Sequence, residues 1–373
     1  MNQQPKKTYF VTGGGTGGHI YPAISIAKAL RAEPDTDKVY YIGNPNNMES
    51  KIAQQEGFDF LPVNVTAMPR KINFDLLKWG FKLDKATLKA LFYIYKYKPN
   101  AIFGTGGYVS APAIIAGWLS STPYMIHDSD AHPGIVSRYV AHGAKCVSVA
   151  FEEAKKHINN SNVNVYGNPI KTEFFNITNK EAKQKLGFSK EPVLLVMGGS
   201  QGAMNINYTL INCIKYFAEE LKLGIILQTG AKNYDASIEL INKIYPEYTK
   251  NPKIIIKPYF DNMAIPMKAA DMVIARAGSL SLSEIAAAEV PSILIPFAYA
   301  AADHQRKNAH CYESAGASIY IDDSKLNKPI LEQTVHNLFK NPNKLKQMKE
   351  AVKAFSKPDA TYEIVKALKE ISK

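Results

Sequence analysis

His19 closes a stretch in which five of eight residues are glycine, Thr12-Gly13-Gly14-Gly15-Thr16-Gly17-Gly18-His19. The apolar run Tyr9-Phe10-Val11 precedes it, and a helical pattern (Ala23, Ile26, Ala27, Leu30) follows. Glycine tolerates left-handed dihedrals and lets backbone N–H groups approach a bulky anion. The positive end of the following helix points at the same place. Such a loop is a cradle for a diphosphate or a sugar acceptor, with an imidazole on its rim. The positive end of a helix favours a neutral imidazole, and a neutral imidazole suits general-base activation of a hydroxyl.

Gly13, Gly15 and Gly18 also satisfy G-x-G-x-x-G, the dinucleotide fingerprint. That motif wants an acid at the end of the second strand to hold the ribose. Here Val39–Ile42 ends in Gly43-Asn44-Pro45-Asn46-Asn47, while Asp35 and Asp37 precede the strand. The nicotinamide reading therefore fails, and no G-x-x-x-x-G-K-[ST] phosphate loop occurs.

Strand-like and helical stretches alternate along the whole chain, which implies parallel sheets covered by helices. Ala101-Ile102-Phe103 leads into a second glycine loop, Gly104-Thr105-Gly106-Gly107-Tyr108, and the strand Pro123–His127 ends in Asp128-Ser129-Asp130. The plan repeats after Gly167-Asn168-Pro169. Val193–Met197 precedes Gly198-Gly199-Ser200-Gln201-Gly202-Ala203, and Met272–Ala275 precedes Arg276-Ala277-Gly278-Ser279. A helix is expected over Leu282–Ala288 and a strand over Ser292–Phe297. The fold class expected is α/β, with two doubly wound, Rossmann-like domains facing across a cleft. Their bounds are 1–168 and 169–354, with a last helix at about 355–373 returning to the first.

A length of 373 residues suits two domains, and 46% hydrophobic with 21% charged residues suits a globular protein. The net charge of +12 favours an anionic partner. Three cysteines in no ligand spacing read as ordinary thiols. No run of about 18 apolar residues and no signal core occurs, which predicts a cytoplasmic location. Residues 71–98 interleave Phe74, Leu77, Trp79, Phe81, Leu88, Leu91, Phe92 and Tyr95 with Lys71, Lys78, Lys82, Lys85, Lys89, Lys96 and Lys98. Two apolar faces are present and only one is needed for a core, so the other is a candidate membrane-interface face.

Four motifs in this order, Gly14–His19, Gly106–Ser110, Gly198–Ala203 and Ser283–Ala288, resemble the MurG family of glycosyltransferases over about residues 8–310. The resemblance implies a GT-B fold and transfer of N-acetylglucosamine from UDP to the 4-hydroxyl of an undecaprenyl-diphosphate-linked N-acetylmuramyl pentapeptide. It further implies inversion at the anomeric carbon, with no metal and no cofactor. His19 would be catalytic. Thr16, Gly17, Gly18, Tyr108, Asp130, Lys171, Ser200, Gln201, Gly202, Phe260, the turn Ser279-Leu280-Ser281-Leu282-Ser283, Glu284 and Gln305 would bind substrate. Lys171 and Ser200 would meet the donor diphosphate, Glu284 the ribose hydroxyls, Phe260 the uracil and Gln305 the sugar.

Departures from the family pattern fall at Lys171, where an arginine is usual, and at Asp128-Ser129-Asp130, where Glu-Gln-Asn is usual. Phe74, Leu77, Lys78, Trp79, Phe81 and Lys82 would form a membrane patch, which places the protein peripherally on the cytoplasmic face of the cell membrane. Two other readings stay open at this point. One is a different GT-B transferase with a lipid acceptor, and the other is a nucleotide-sugar-binding protein without catalysis. Assays with alternative acceptors separate them. A nucleic-acid partner is disfavoured, because basic residues mixed with aromatics are confined to 71–98.

Overall fold

Strands that are apolar along their whole length need cover on both faces, and helices wrapped around parallel sheets supply it. The computed structural model describes residues 6–69, 74–199 and 202–372. The chain divides into two units, Met1–Ile170 with Asp359–Lys373, and Lys171–Pro358.

The first unit holds seven parallel strands: β1 (Lys7–Thr12), β2 (Thr36–Gly43), β3 (Asp59–Pro62), β4 (Ala101–Gly104), β5 (Tyr124–Asp128), β6 (Cys146–Val149) and β7 (Val163–Val165). They are ordered β3-β2-β1-β4-β5-β6-β7. Tyr9 pairs with Val39 on one side and Ala101 on the other. The second unit holds β8 (Val193–Met197), β9 (Gly224–Gln228), β10 (Ile254–Lys257), β11 (Met272–Ala275), β12 (Ser292–Leu294) and β13 (Ser318–Tyr320), ordered β10-β9-β8-β11-β12-β13. The order reverses between β1 and β4 and again between β8 and β11. At such switch points the loops leaving the strands diverge and open a crevice.

The helices that matter below are α1 (Gly17–Ala32), α2 (Met48–Gln55), α3 (Phe74–Tyr97), α4 (Gly107–Leu119), α5 (Ile135–Val140), α6 (Met204–Glu219), α7 (Ser279–Ala288), α8 (His304–Ser314) and α9 (Ala360–Ile371). Strand alternation splits the first core in two. Tyr9, Val11, Tyr41 and Phe103 pack with Ile20, Ile26 and Leu30 of α1 and with Ile364 and Leu368 of α9. Phe10, Ile42, Ile102 and Ile126 face the other way, onto Ala86, Ala90 and Ile94 of α3 and Ala113 of α4. In the second unit, Leu194, Val196, Ile225 and Ile274 pack on Ile206, Leu210, Ile214 and Phe217 of α6.

Two expectations are corrected, and one strand is added. The stretch Ser279–Ser283 is not a turn but the opening of α7, capped by Gly278, with the Leu282 N–H bonded to the Gly278 carbonyl and the Leu282 side chain in the core. Strand β12 stops at Leu294 rather than Phe297, because the Arg276 guanidinium takes the carbonyls of Ile295 and Pro296 at 3.0 and 3.1 Å. The short edge strand β13, paired to β12, had no sequence signal of its own. On α3 the core face is built from small residues and Tyr93 and Ile94, which leaves most of the large apolar residues outside. Lys71 lies outside the described residues.

Candidate active site

Strand β1 ends at Thr12 and α1 starts at Gly17, so the loop between them turns sharply at the switch point of the first sheet. Gly15 takes φ +86°, and a β-carbon there would lie 2.9 Å from the Tyr108 ring. Thr16 is the N-cap of α1 but its side chain makes no capping bond, so it takes none of the first-turn amides of Gly17 and Gly18. His19 follows in that turn. Its Nδ1 lies 2.8 Å from the Thr105 carbonyl, on the loop after β4, and the Thr105 hydroxyl donates back to the His19 carbonyl at 2.7 Å. A carbonyl only accepts, so in the neutral ring Nδ1 carries the proton and Nε2 keeps its lone pair.

The imidazole rests against Gly107, which has φ +72° and whose β-carbon would sit 2.9 Å from His19 Cδ2 and 3.3 Å from Nε2. Tyr108 is tied by its hydroxyl to the Asn47 amide at 3.1 Å. Behind Gly106 lies Asp128, whose Oδ1 accepts the Asp130 N–H and whose Oδ2 accepts the Gly134 N–H. The motif Asp128-Ser129-Asp130 thus closes a turn, with Asp128 buried and its partner Asp130 half-buried. Burial first, and the Asp130 charge second, raise the Asp128 carboxyl, with the Ser137 hydroxyl and His19 opposing them. His127 is buried between Ser148 and Asn168, each at 2.9 Å, and desolvation lowers it to about 4. It is a neutral structural histidine.

In the second unit Gly202, Phe260, Glu284 and Gln305 follow the carboxyl ends of β8, β10, β11 and β12. Gly202 (φ +75°) lies against Thr229 and Gly230 after β9, where a β-carbon would overlap the Thr229 carbonyl. The Phe260 N–H is held by Gln228 Oε1 at 3.0 Å, and its ring is 8% exposed with Lys257 above it. Glu284 sits half-buried in α7, and desolvation raises its carboxyl to about 7 against the pull of Lys171. Lys171 itself is exposed. Gln305, in the first turn of α8, accepts the Phe297 N–H at 3.0 Å through Oε1, so its amide hydrogens remain to donate. Ser200 and Gln201 lie outside the described residues.

One group escaped the sequence reading. Arg276 Nη1 meets Asp323 Oδ1 at 2.8 Å, and Asp323 accepts the Asn205 amide of α6 at 3.1 Å. The guanidinium also covers the Phe297 ring. This cluster ties the first turn of α6 to the segments that follow β11, β12 and β13, close in sequence to Gly202, Glu284 and Gln305. Forty-seven residues separate Arg276 from Asp323, and no local pattern links them.

Two doubly wound units that share one order over six strands, the first with a seventh strand added at its edge, each with a glycine loop at its switch point, define a glycosyltransferase fold of the GT-B class. Models of the glycosyltransferase family 28 N-terminal and C-terminal domains match residues 9–149 and 193–364. A Halothermothrix orenii protein named UDP-N-acetylglucosamine–N-acetylmuramyl-(pentapeptide) pyrophosphoryl-undecaprenol N-acetylglucosamine transferase is 37% identical over 366 residues, 97% of this chain and 98% of its own length. A relative of the same name from Caldanaerobacter subterraneus is 36% identical, over 98% of this chain and 100% of its own. The crystal structure of Acinetobacter baumannii MurG superposes with a TM-score of 0.79 at 27% identity, covering 98% of this chain and 100% of that one. The chain belongs to glycosyltransferase family 28, among these N-acetylglucosamine transferases.

Proposed function

We propose that this chain moves N-acetylglucosamine from UDP to the 4-hydroxyl of an undecaprenyl-diphosphate-linked N-acetylmuramyl pentapeptide, the conversion of lipid I to lipid II in peptidoglycan synthesis. Near full-length kinship with transferases of that name supports the overall reaction. The observation that carries the mechanism is His19, fixed through Nδ1 and presenting a basic Nε2 beside two glycine loops.

Nε2 takes the proton of the acceptor hydroxyl. The oxygen attacks C1 of the sugar from the face opposite UDP, the new C–O bond forms, and the C1–phosphate oxygen bond breaks with its electron pair leaving on UDP. The product is β-linked. Lys171 and the amino ends of α6 and α7 would meet the departing diphosphate, so no metal ion is required. Ser200 and Gln201 keep their proposed place on the donor loop. The first unit would bind the acceptor, with Tyr108 and Asp130 beside it, while Thr16, Gly17 and Gly18 would touch the donor. The second unit would hold UDP through Glu284, Phe260, Gly202 and the α7 amino end, with Gln305 on the sugar.

No described helix is long and apolar enough to cross a membrane. A lipid-linked acceptor nevertheless requires an approach to the bilayer, and the exposed apolar stripe of α3 flanked by lysines supports peripheral docking there. Lipid II formation from UDP-N-acetylglucosamine, in the presence of a chelator, is the expected result for the purified chain. His19→Ala should lower kcat about a hundredfold or more while UDP still binds. Wild-type protein that releases no UDP from these substrates would overturn the reading, and full turnover in the variant would remove His19 as the base.

A further inference from the structure

Glu49 is a fully buried carboxylate that the proposed chemistry does not use. It lies in the first turn of α2, beneath the loop that carries His19. Its Oε2 accepts the Gly15 N–H and its Oε1 the Asn44 N–H, both at 3.3 Å. No ion pair reaches it among the described residues, and two backbone N–H groups and the positive end of α2 are what face it. The loop is moulded around it: a β-carbon on Gly14 would lie 2.6 Å from Glu49 Cδ, and one on Gly43 would lie 2.9 Å from Cγ. One residue pair away, the buried Tyr41 hydroxyl donates to the Gly13 carbonyl at 2.6 Å.

The two contacts fix successive peptides in opposite senses. The Gly13 carbonyl is drawn inward by a phenol, and the Gly15 amide is drawn inward by a carboxylate. An amide turned onto Glu49 cannot face a ligand, so ligand contacts fall to the next turn, at Gly17 and Gly18. We infer that Glu49 is a positioning residue for transfer: by holding Gly15 from below, it sets the start of α1 and with it His19. Both carboxylate oxygens are occupied, which explains the residue type. Glutamine would set its NH2 against one of the two N–H donors, and aspartate is a methylene too short.

This inference rests on the proposed role of His19, and the experiment separates the two. Glu49→Gln, Glu49→Ala and Tyr41→Phe are compared with wild type by kcat on the lipid acceptor, UDP affinity by calorimetry, melting temperature, and hydrogen exchange of peptides spanning residues 12–20. Glu49→Gln should lower kcat about tenfold, the worth of one misplaced backbone contact at a reacting group. It should also speed exchange at 12–20 and leave UDP affinity unchanged. Tyr41→Phe should move the same two readouts in the same direction. A Glu49→Gln protein with wild-type kcat and wild-type protection of 12–20 overturns the inference, as does one whose only change is a lower melting temperature. If Glu49→Ala does not fold, Glu49→Gln decides. If wild type proves inactive, the functional reading falls, and exchange at 12–20 still reports whether Glu49 pins the loop.

Discussion

Protonation and the proposed binding of the donor meet at Glu284. Its folded carboxyl is raised from 4.5 to about 7, first by desolvation, against the charge of Lys171. A group raised on folding stabilises the protein fully at pH below its unfolded value, and that contribution is lost as pH climbs through the folded one. In the proposed reading donor binding runs the opposite way, because only the carboxylate offers two full acceptors to a pair of ribose hydroxyls. The kcat/KM for UDP-N-acetylglucosamine should therefore rise between about pH 6 and 8, over the range where the melting temperature falls. Glu284→Gln should flatten that rise, lower kcat/KM about tenfold or more at pH 8, and melt higher than wild type there. Rate profiles and thermal melts on the same samples test this, and a variant that keeps the wild-type profile would exclude the ribose role.

At the scale of elements, α3 explains itself by what it leaves out of the core. Phe74, Leu77, Phe81, Leu88, Phe92 and Tyr95 lie three, four or seven residues apart and each is at least 59% exposed. Trp79 is half-buried and spends its N–H on the Thr66 carbonyl at 2.8 Å, so it anchors the start of the helix as much as it extends the stripe. With 24 residues the helix is about 36 Å long, long enough to lie along a bilayer surface with Lys78, Lys82, Lys85 and Lys89 beside the apolar row. Phe81→Glu with Phe92→Glu should abolish most co-sedimentation with anionic vesicles. Both side chains are exposed, so the melting temperature and the turnover of a detergent-soluble acceptor should stay near wild type. Undiminished sedimentation would assign the stripe to something other than lipid.

The same element marks the limit of sequence reading. Periodicity reveals that α3 has two apolar faces, but which one is buried depends on what Ala86 and Ala90 meet across the sheet. Central strands such as β4, β8 and β11 were legible because burial on both faces makes them apolar throughout. The glycine loops were legible because their backbone demands are local. The start of α7 was not, since its cap is a glycine and Ser279-Leu280-Ser281-Leu282 alternates as a strand would. Glu49 draws no reading from the sequence, and Arg276 reads there only as part of a glycine turn. Their partners, Gly15 and Asp323, are distant along the chain.

On the scale of the whole molecule, the chain begins and ends in the same unit, with the second unit inserted between. Helix α9 is the closing piece. Its Ile364 and Leu368 are fully buried against α1 and the β1–β6 part of the sheet, Lys369 pairs with both Glu33 and Asp35, and the Lys7 ammonium reaches the Ser372 hydroxyl. The face of the sheet beneath His19's helix is thus completed by residues that follow the whole of the second unit along the chain. Leu368→Ala should cost the first unit about 2–5 kcal/mol through the lost methyl groups and the cavity, without touching the core formed by α6 and its strands. UDP binds the second unit in the proposed reading, and a ligand stabilises only what it binds. Calorimetry of Leu368→Ala should then resolve a lowered transition that UDP does not raise, beside one that UDP does. Turnover should fail on heating at the lower transition while UDP affinity persists. A single transition, shifted by the substitution and restored by UDP, would mean that the two cores melt as one and that α9 closes more than its own unit.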